Sequence, residues 1–147
     1  MFTFESTTTQ ITMQNRTMPP CTFIPVLGYF NVAEAIDWLC KNFGFTERWR
    51  AGDHRAQLSY DGGTIAIKAL TADSVFTPYT MLVRVANLDE HYNHAMKQDV
   101  EILQPPADYP YGERQYSATD LNGHQWTFSQ SIRDLAPEDW GGVSSKL

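Results

Sequence analysis

Two stretches with the same punctuation restrict what this chain can fold into. Arg114 to Thr119 and His124 to Gln130 alternate as strands do and flank Asp120-Leu121-Asn122-Gly123, where Asn-Gly supplies the positive backbone dihedrals of a tight hairpin. Earlier, Arg55 to Tyr60 and Thr64 to Lys68 flank Asp61-Gly62-Gly63 in the same manner. Each hairpin is preceded by an apolar run and by an asparagine with a glutamate three residues on, the signature of a helix start. In the first copy Asn31 and Glu34 lead into Val32, Ile36, Leu39, Cys40 and Phe43 at helical spacing, ending at Gly44. In the second, Asn87 and Glu90 lead into His91 to Lys97. The offset from Asn31 to Asn87 nearly equals that from Asp61 to Asp120, so an ordered set of signals repeats.

The repeat predicts an α+β chain of two β-α-β-β-β modules, 21–70 and 79–132, joined by a linker at 71–78 within a single domain, 21–132. Module one reads as strands at Thr22 to Leu27, Phe45 to Ala51, Arg55 to Tyr60 and Thr64 to Leu70. Module two has apolar runs at Met81 to Val85 and Val100 to Leu103, then a loop from Pro105 to Gly112. Residues 1–20 form a Thr/Gln/Met-rich arm ending in Pro19-Pro20, for which disorder is the default unless a neighbouring subunit holds it. Residues 133–147 are a tail with Trp140 as its only anchor.

The length of 147 residues, with 42% hydrophobic and 13% aromatic content, suits one core. A net charge of −6, with Lys and Arg scattered singly, argues against nucleic acid or anionic membrane as partners. No apolar run approaches the roughly 18 residues of a spanning helix, and MFTFESTTTQ lacks the regions of a signal peptide, so the expectation is a soluble cytoplasmic protein. Cys21 and Cys40 have neither a disulfide nor a zinc spacing and read as small buried apolar side chains in a reducing compartment.

The paired modules, the Gly-ended first helix (Ala35-Ile36-Asp37-Trp38-Leu39 to Phe43-Gly44-Phe45) and the final DxxGHxWxF hairpin resemble the glyoxalase, bleomycin-resistance and extradiol-dioxygenase (vicinal oxygen chelate) superfamily. The likeness covers about residues 22–132. It is strongest at Tyr111-Gly112-Glu113-Arg114 with Asp120, Gly123, His124 and Trp126, where the chain looks like a small stand-alone member. The resemblance implies a curled mixed sheet with a central cup and helices outside. It also implies a divalent ion held by four strand residues in metal-dependent members, and it places Ile24, Ile67, Thr80 and Thr127 at those positions. None of these is a competent ligand, so no metal and no other cofactor is expected.

What remains is a cup for a small organic molecule. On strand parity Gln125, Thr127 and Ser129 share one face, while Trp126 and Phe128 share the other and pack under a helix. Arg84, inside an apolar strand, and Arg114 need a carboxylate, a ligand anion or solvent. Trp49, Tyr60 and Tyr116 offer aromatic walls, and Ser117, Gln125 and Thr127 offer small polar groups. His91 and His94 read as a solvated helix face, His54 as a turn residue, and no nucleophile motif is present. The reading is metal-independent binding of a small organic molecule by a homodimer. Two alternatives stand beside it: an enzyme of the same superfamily of lyase, isomerase or dioxygenase type, with His124 or Glu113 as acid-base if it works without metal, and a structural dimer with a collapsed cup.

Overall fold

Asparagine starts both helices. Asn31 Oδ1 accepts from the Glu34 N–H at 3.0 Å ahead of α1 (Val32–Phe43), and Asn87 Oδ1 accepts from the Glu90 N–H at 3.1 Å ahead of α2 (Leu88–Lys97). Each bond satisfies a backbone donor that the helix itself leaves free. Gly44, at φ 84°, turns the chain out of α1, and Asp99, at φ 57°, takes the corresponding left-handed position after α2. The computed structural model describes residues 13–145.

The strands are β1 (Val26–Tyr29), β2 (Thr46–Ala51), β3 (Arg55–Tyr60), β4 (Gly63–Ala69), β5 (Thr80–Arg84), β6 (Glu101–Asp108), β7 (Glu113–Thr119) and β8 (Gln125–Ser131). They form two four-stranded mixed sheets with matching order, β1-β4-β3-β2 and β5-β8-β7-β6. In each, the strand before the helix pairs in parallel with the last strand of the module, and the remaining pairs are antiparallel. This is the two-module α+β architecture that the repeat predicts, with the curled sheet left unclosed between β1 and β5. The tail adds one short 3-10 turn, Pro137–Trp140, whose Trp140 meets the Tyr111 ring edge-on at 5.9 Å.

Two strands differ from the sequence reading by more than a residue. β1 starts after Pro25 rather than at Thr22, because proline offers no N–H to the ladder and only its carbonyl is used, accepting from the Ala66 N–H at 2.8 Å. β6 runs on through Pro105 and Pro106 instead of stopping at Leu103. It is an edge strand, and its pairing with β7 shifts register between Ile102 and Gln104 and again between Gln104 and Ala107, so the prolines break no continuous ladder.

Parity then decides the core. Leu27, Tyr29, Leu58, Ile65 and Ile67 point to the helix side of the first sheet, and Tyr116, Ala118, Trp126 and Phe128 to that of the second, all of them buried. Phe43, at the end of α1, reaches across to Phe128 and Trp126 at centroid distances of 4.8 and 5.7 Å, and Phe45 lies 5.5 Å from Trp126. One apolar core therefore serves both modules.

Candidate ligand-binding site

The DxxGHxWxF stretch forms a clasp between the modules. Asp120 Oδ1 accepts from the N–H groups of Asn122 and His124 at 2.9 and 3.0 Å and so closes the hairpin turn. Its Oδ2 accepts from Tyr29 O–H at 2.6 Å and Trp126 Nε1–H at 3.0 Å. His124 is fully buried. Its Nδ1 accepts from the Tyr79 N–H at 2.9 Å, so the proton sits on Nε2, which donates to the Gly28 carbonyl at 2.9 Å. Both ring nitrogens are thus engaged in joining the end of β1 to the start of β5. Burial, then the charge and hydrogen bond of Asp120, push the Tyr29 phenol far above its ordinary range.

At the opposite end of that seam the modules separate. Because β1 begins only after Pro25, Thr64 and Ile65 of β4 have no strand partner on that side among the described residues, and β5 has none on its outer edge. A cavity of about 380 Å³ lies here. Phe45, Tyr60, Ile65 and Trp126 form its apolar wall, Met81 to Val83 flank it, and Arg84 and Asp61 are its one basic and one acidic side chain. Its size falls within the range of small-molecule pockets.

Beside the cavity spreads the concave face of the second sheet, polar at every alternate residue of β7 and β8. Ser117 and Thr127 bond to each other at 2.8 Å, and Arg84 Nη2 donates to Ser131 Oγ at 3.1 Å. Tyr111 O–H donates to Gln115 Oε1 at 3.0 Å, Gln115 Nε2 to Ser129 Oγ at 2.9 Å, and Ser129 O–H to Glu113 Oε1 at 2.7 Å. Gln125 stands exposed on the same face, opposite Thr80 and Thr119.

The sequence candidates are therefore dispersed. Arg84, Ser117, Gln125 and Thr127 share the concave face, and Tyr60 and Arg84 share the cavity. Tyr116, expected as a cup wall, lies on the helix side, buried against Phe128 and bonded through its hydroxyl to His91 Nδ1. Arg114 also points away from the cup. Its guanidinium pairs with Asp108 at 2.6 Å and with Asp89 of α2 at 3.0 Å, and it holds the Asp108 carboxyl below the usual carboxylate range.

Trp49 is on the concave side of the first sheet but under the N-terminal arm, with its Nε1–H donating to the Thr17 carbonyl at 3.0 Å. Arg48 reaches the carbonyls of Arg16, Thr17 and Met18 and also bonds Gln57. The described part of the arm is held by its own chain, and residues 1–12 lie outside the described residues. Sequence reasoning missed Glu113 and Gln115 as concave-face groups, although the alternation that placed Ser117 on that face extends to both. The cavity wall was harder to read, because no local pattern marks where two sheet edges diverge.

Of the α2 histidines, His94 is exposed as the solvated-face reading expects, whereas His91 is half-buried. Nε2 of His91 donates to the Phe43 carbonyl at 3.0 Å and Nε2 of His94 to the Lys41 carbonyl at 2.7 Å, capping the C-terminal end of α1. Burial pulls the His91 pKa below its ordinary value, an effect partly opposed by the bond to Phe43. A histidine held more acidic in the folded state takes up protons more readily when unfolded, so stability should fall as pH drops from about 6.5 through the lowered folded value. Urea midpoints at pH 7.5 and 5.5 should differ for this reason. His91→Gln, which can still donate to Phe43 and accept from Tyr116, should remove that part of the difference. Cys21 and Cys40 are free and half-buried, and burial raises the Cys40 thiol, with Glu47 and Asp37 adding to the effect.

A metal centre does not suit these residues. Ile24 lies outside the ladder, before β1, and Ile67 is buried on the helix side rather than in the cup. The concave positions of the seam strands are Val26, Gly28, Thr64, Ala66 and Lys68 in module one and Thr80, Leu82, Arg84, Gln125, Thr127, Ser129 and Ser131 in module two. No carboxylate or imidazole is among them, and among the described residues no three His, Cys, Asp or Glu side chains gather as a metal-binding group.

Fold and site together define a two-module cup protein with a polar concave face and a seam cavity. The sequence model of the Glyoxalase/Bleomycin resistance protein/Dioxygenase superfamily matches residues 25–128, and the chain belongs to that superfamily. Among solved structures it is similar to TioX from Micromonospora sp. ML1, at 30% identity, covering 76% of this chain and 100% of that one with a TM-score of 0.67. It also matches a glyoxalase/bleomycin resistance protein/dioxygenase from Nocardioides (17% identity, 93% of each chain, TM-score 0.62). A lactoylglutathione lyase from Agrobacterium tumefaciens shares the fold at 10% identity, covering 78% of this chain and 97% of that one, with a TM-score of 0.64. No curated protein matches.

Proposed function

We propose that this chain binds a small organic molecule without a transition metal, placing an aromatic or apolar body in the seam cavity and an anionic or carbonyl group at Arg84. The observation that carries the reading is the composition of that cavity, an aromatic and aliphatic wall with one cation, Arg84, and one carboxylate, Asp61, at its edge. Burying the body supplies affinity at roughly 25 cal/mol per Å² of apolar surface, and the guanidinium fixes orientation.

Arg114 leaves the binding set because both of its partners are aspartates of its own chain. Indole-3-propionate serves as a probe. Arg84→Ala should weaken it by about 1.5–3 kcal/mol, the range for a charged hydrogen bond, whereas Arg114→Ala should leave it within about twofold. Calorimetric titration of the three proteins reads this directly. Equal affinity for wild type and Arg84→Ala would refute the assignment.

The same reading includes a homodimer. Among the described residues the edge strands β1, β2, β5 and β6 have no further strand partner, and Phe23, Val26, Leu82 and Leu103 are exposed apolar side chains near such edges or in the cup. Sedimentation at tens of micromolar, a concentration that reveals modest interfaces, should give a dimer, and a monomer there would count against it.

A further inference from the structure

The concave face of the second sheet carries two opposite charges that are not paired with each other. Arg84 and Glu113 lie on either side of β8, where Arg84 is in register with Ser129 and Glu113 with Ser131. The Arg84 guanidinium leans over β8 to Ser131 Oγ, the side chain opposite Glu113, and one Glu113 oxygen accepts from Ser129 O–H. Among the described residues neither charge takes part in an ion pair. A guanidinium and a carboxylate this close on one face would ordinarily close on each other, since their bidentate pairing is the strongest contact open to either. Here each is held by a different serine of the strand between them.

Glu113 is held more firmly than a surface carboxylate. Three hydrogen bonds run in one direction, from Tyr111 O–H to Gln115, from Gln115 to Ser129 and from Ser129 to Glu113 Oε1, and Ser129 is buried. The direction fixes the Gln115 amide and commits the Ser129 proton to Oε1. Oε2 makes no hydrogen bond among the described residues and is free to accept one.

We propose that Arg84 and Glu113 form a dipolar receptor for a zwitterion, an α-amino acid. Arg84 takes its carboxylate, Glu113 Oε2 takes its ammonium, and an aromatic side chain enters the seam cavity that Arg84 borders. This rests on the binding function proposed above and narrows its ligand class from organic anions to molecules carrying both charges. A simple anion satisfies Arg84 but leaves Glu113 repelling it, and a simple cation does the reverse.

Three probes with one aromatic body separate the possibilities: tryptophan, indole-3-propionate and tryptamine, each titrated calorimetrically into the wild-type chain, Glu113→Gln and Arg84→Gln. Glutamine at 113 can still accept from Ser129, and far-UV circular dichroism checks that each variant keeps its fold. Tryptophan should bind wild type at least tenfold more tightly than either analogue. Glu113→Gln should lose that advantage over indole-3-propionate while binding indole-3-propionate at least as well as wild type does, and Arg84→Gln should weaken tryptophan and indole-3-propionate together. If indole-3-propionate equals or exceeds tryptophan on wild type, or if Glu113→Gln leaves tryptophan unchanged, the dipolar receptor is wrong while the binding cavity stands. If none of the three binds, both fail.

Discussion

Replacing Asp120 by alanine should lower the unfolding free energy by about 3–5 kcal/mol, because this carboxylate accepts hydrogen bonds from four groups at once. Tyr29 O–H, Trp126 Nε1–H and the N–H groups of Asn122 and His124 all converge on it. Tyr29 and Trp126 are fully buried, so their donors would lose a charged acceptor without gaining water, at roughly 1–3 kcal/mol for each orphan. The turn would lose its internal cap as well. Asp120→Asn should cost less, since its remaining oxygen can still serve one pair of donors. Urea denaturation of both variants checks this, and a loss under about 1 kcal/mol for the alanine variant would mean that the clasp does not hold the modules together. Next to Asp120, the His124 ring has no free nitrogen for acid-base work, because Nδ1 accepts from the Tyr79 N–H and Nε2 donates to the Gly28 carbonyl.

Phe43→Ala should be comparably severe, at about 3–5 kcal/mol. The ring is buried at the end of α1 and touches Trp38 edge-on at 4.9 Å within its own module, and Phe128 and Trp126 in the other. Truncation leaves a cavity bounded by rigid rings, which cannot collapse inward as a flexible aliphatic core does. Phe43→Leu, which refills much of the space, should recover most of the loss. Calorimetric melting should give a single transition that moves down for Phe43→Ala without splitting, because one core serves both modules. Two separate transitions would show that the modules fold independently.

The architecture was legible because its signals are local. Asn31 with Glu34, Asn87 with Glu90 and the two Asp-to-Gly turns each act over four residues or fewer, and their ordered recurrence carried the rest. Side-chain parity also read correctly along β8, where Gln125 and Thr127 face the cup and Trp126 and Phe128 face the helices. Reading failed where the answer depends on residues distant in sequence. Arg114 resembled a free cation until α2 brought Asp89 to it, and Trp49 resembled an open wall until Thr17 crossed it. Ile67 was placed in the cup by family register, although its pairing with Leu27 and Ala56 puts it in the core. The seam cavity exists because Pro25 shortens one strand, a consequence that appears only when β4 and β5 are side by side.

The central claim is that a ligand enters between the modules beside Arg84 rather than settling elsewhere on the surface. Amide chemical-shift mapping of the isotope-labelled chain, titrated with indole-3-propionate, tests it most directly. The account predicts saturable shifts confined to 60–65, 81–84 and the Trp126 region, with the Trp126 side-chain N–H among them, and their loss in Arg84→Ala. Shifts clustered on α1, α2 or the Arg114–Asp108 side of the second sheet, or no saturable shift at all, would contradict it.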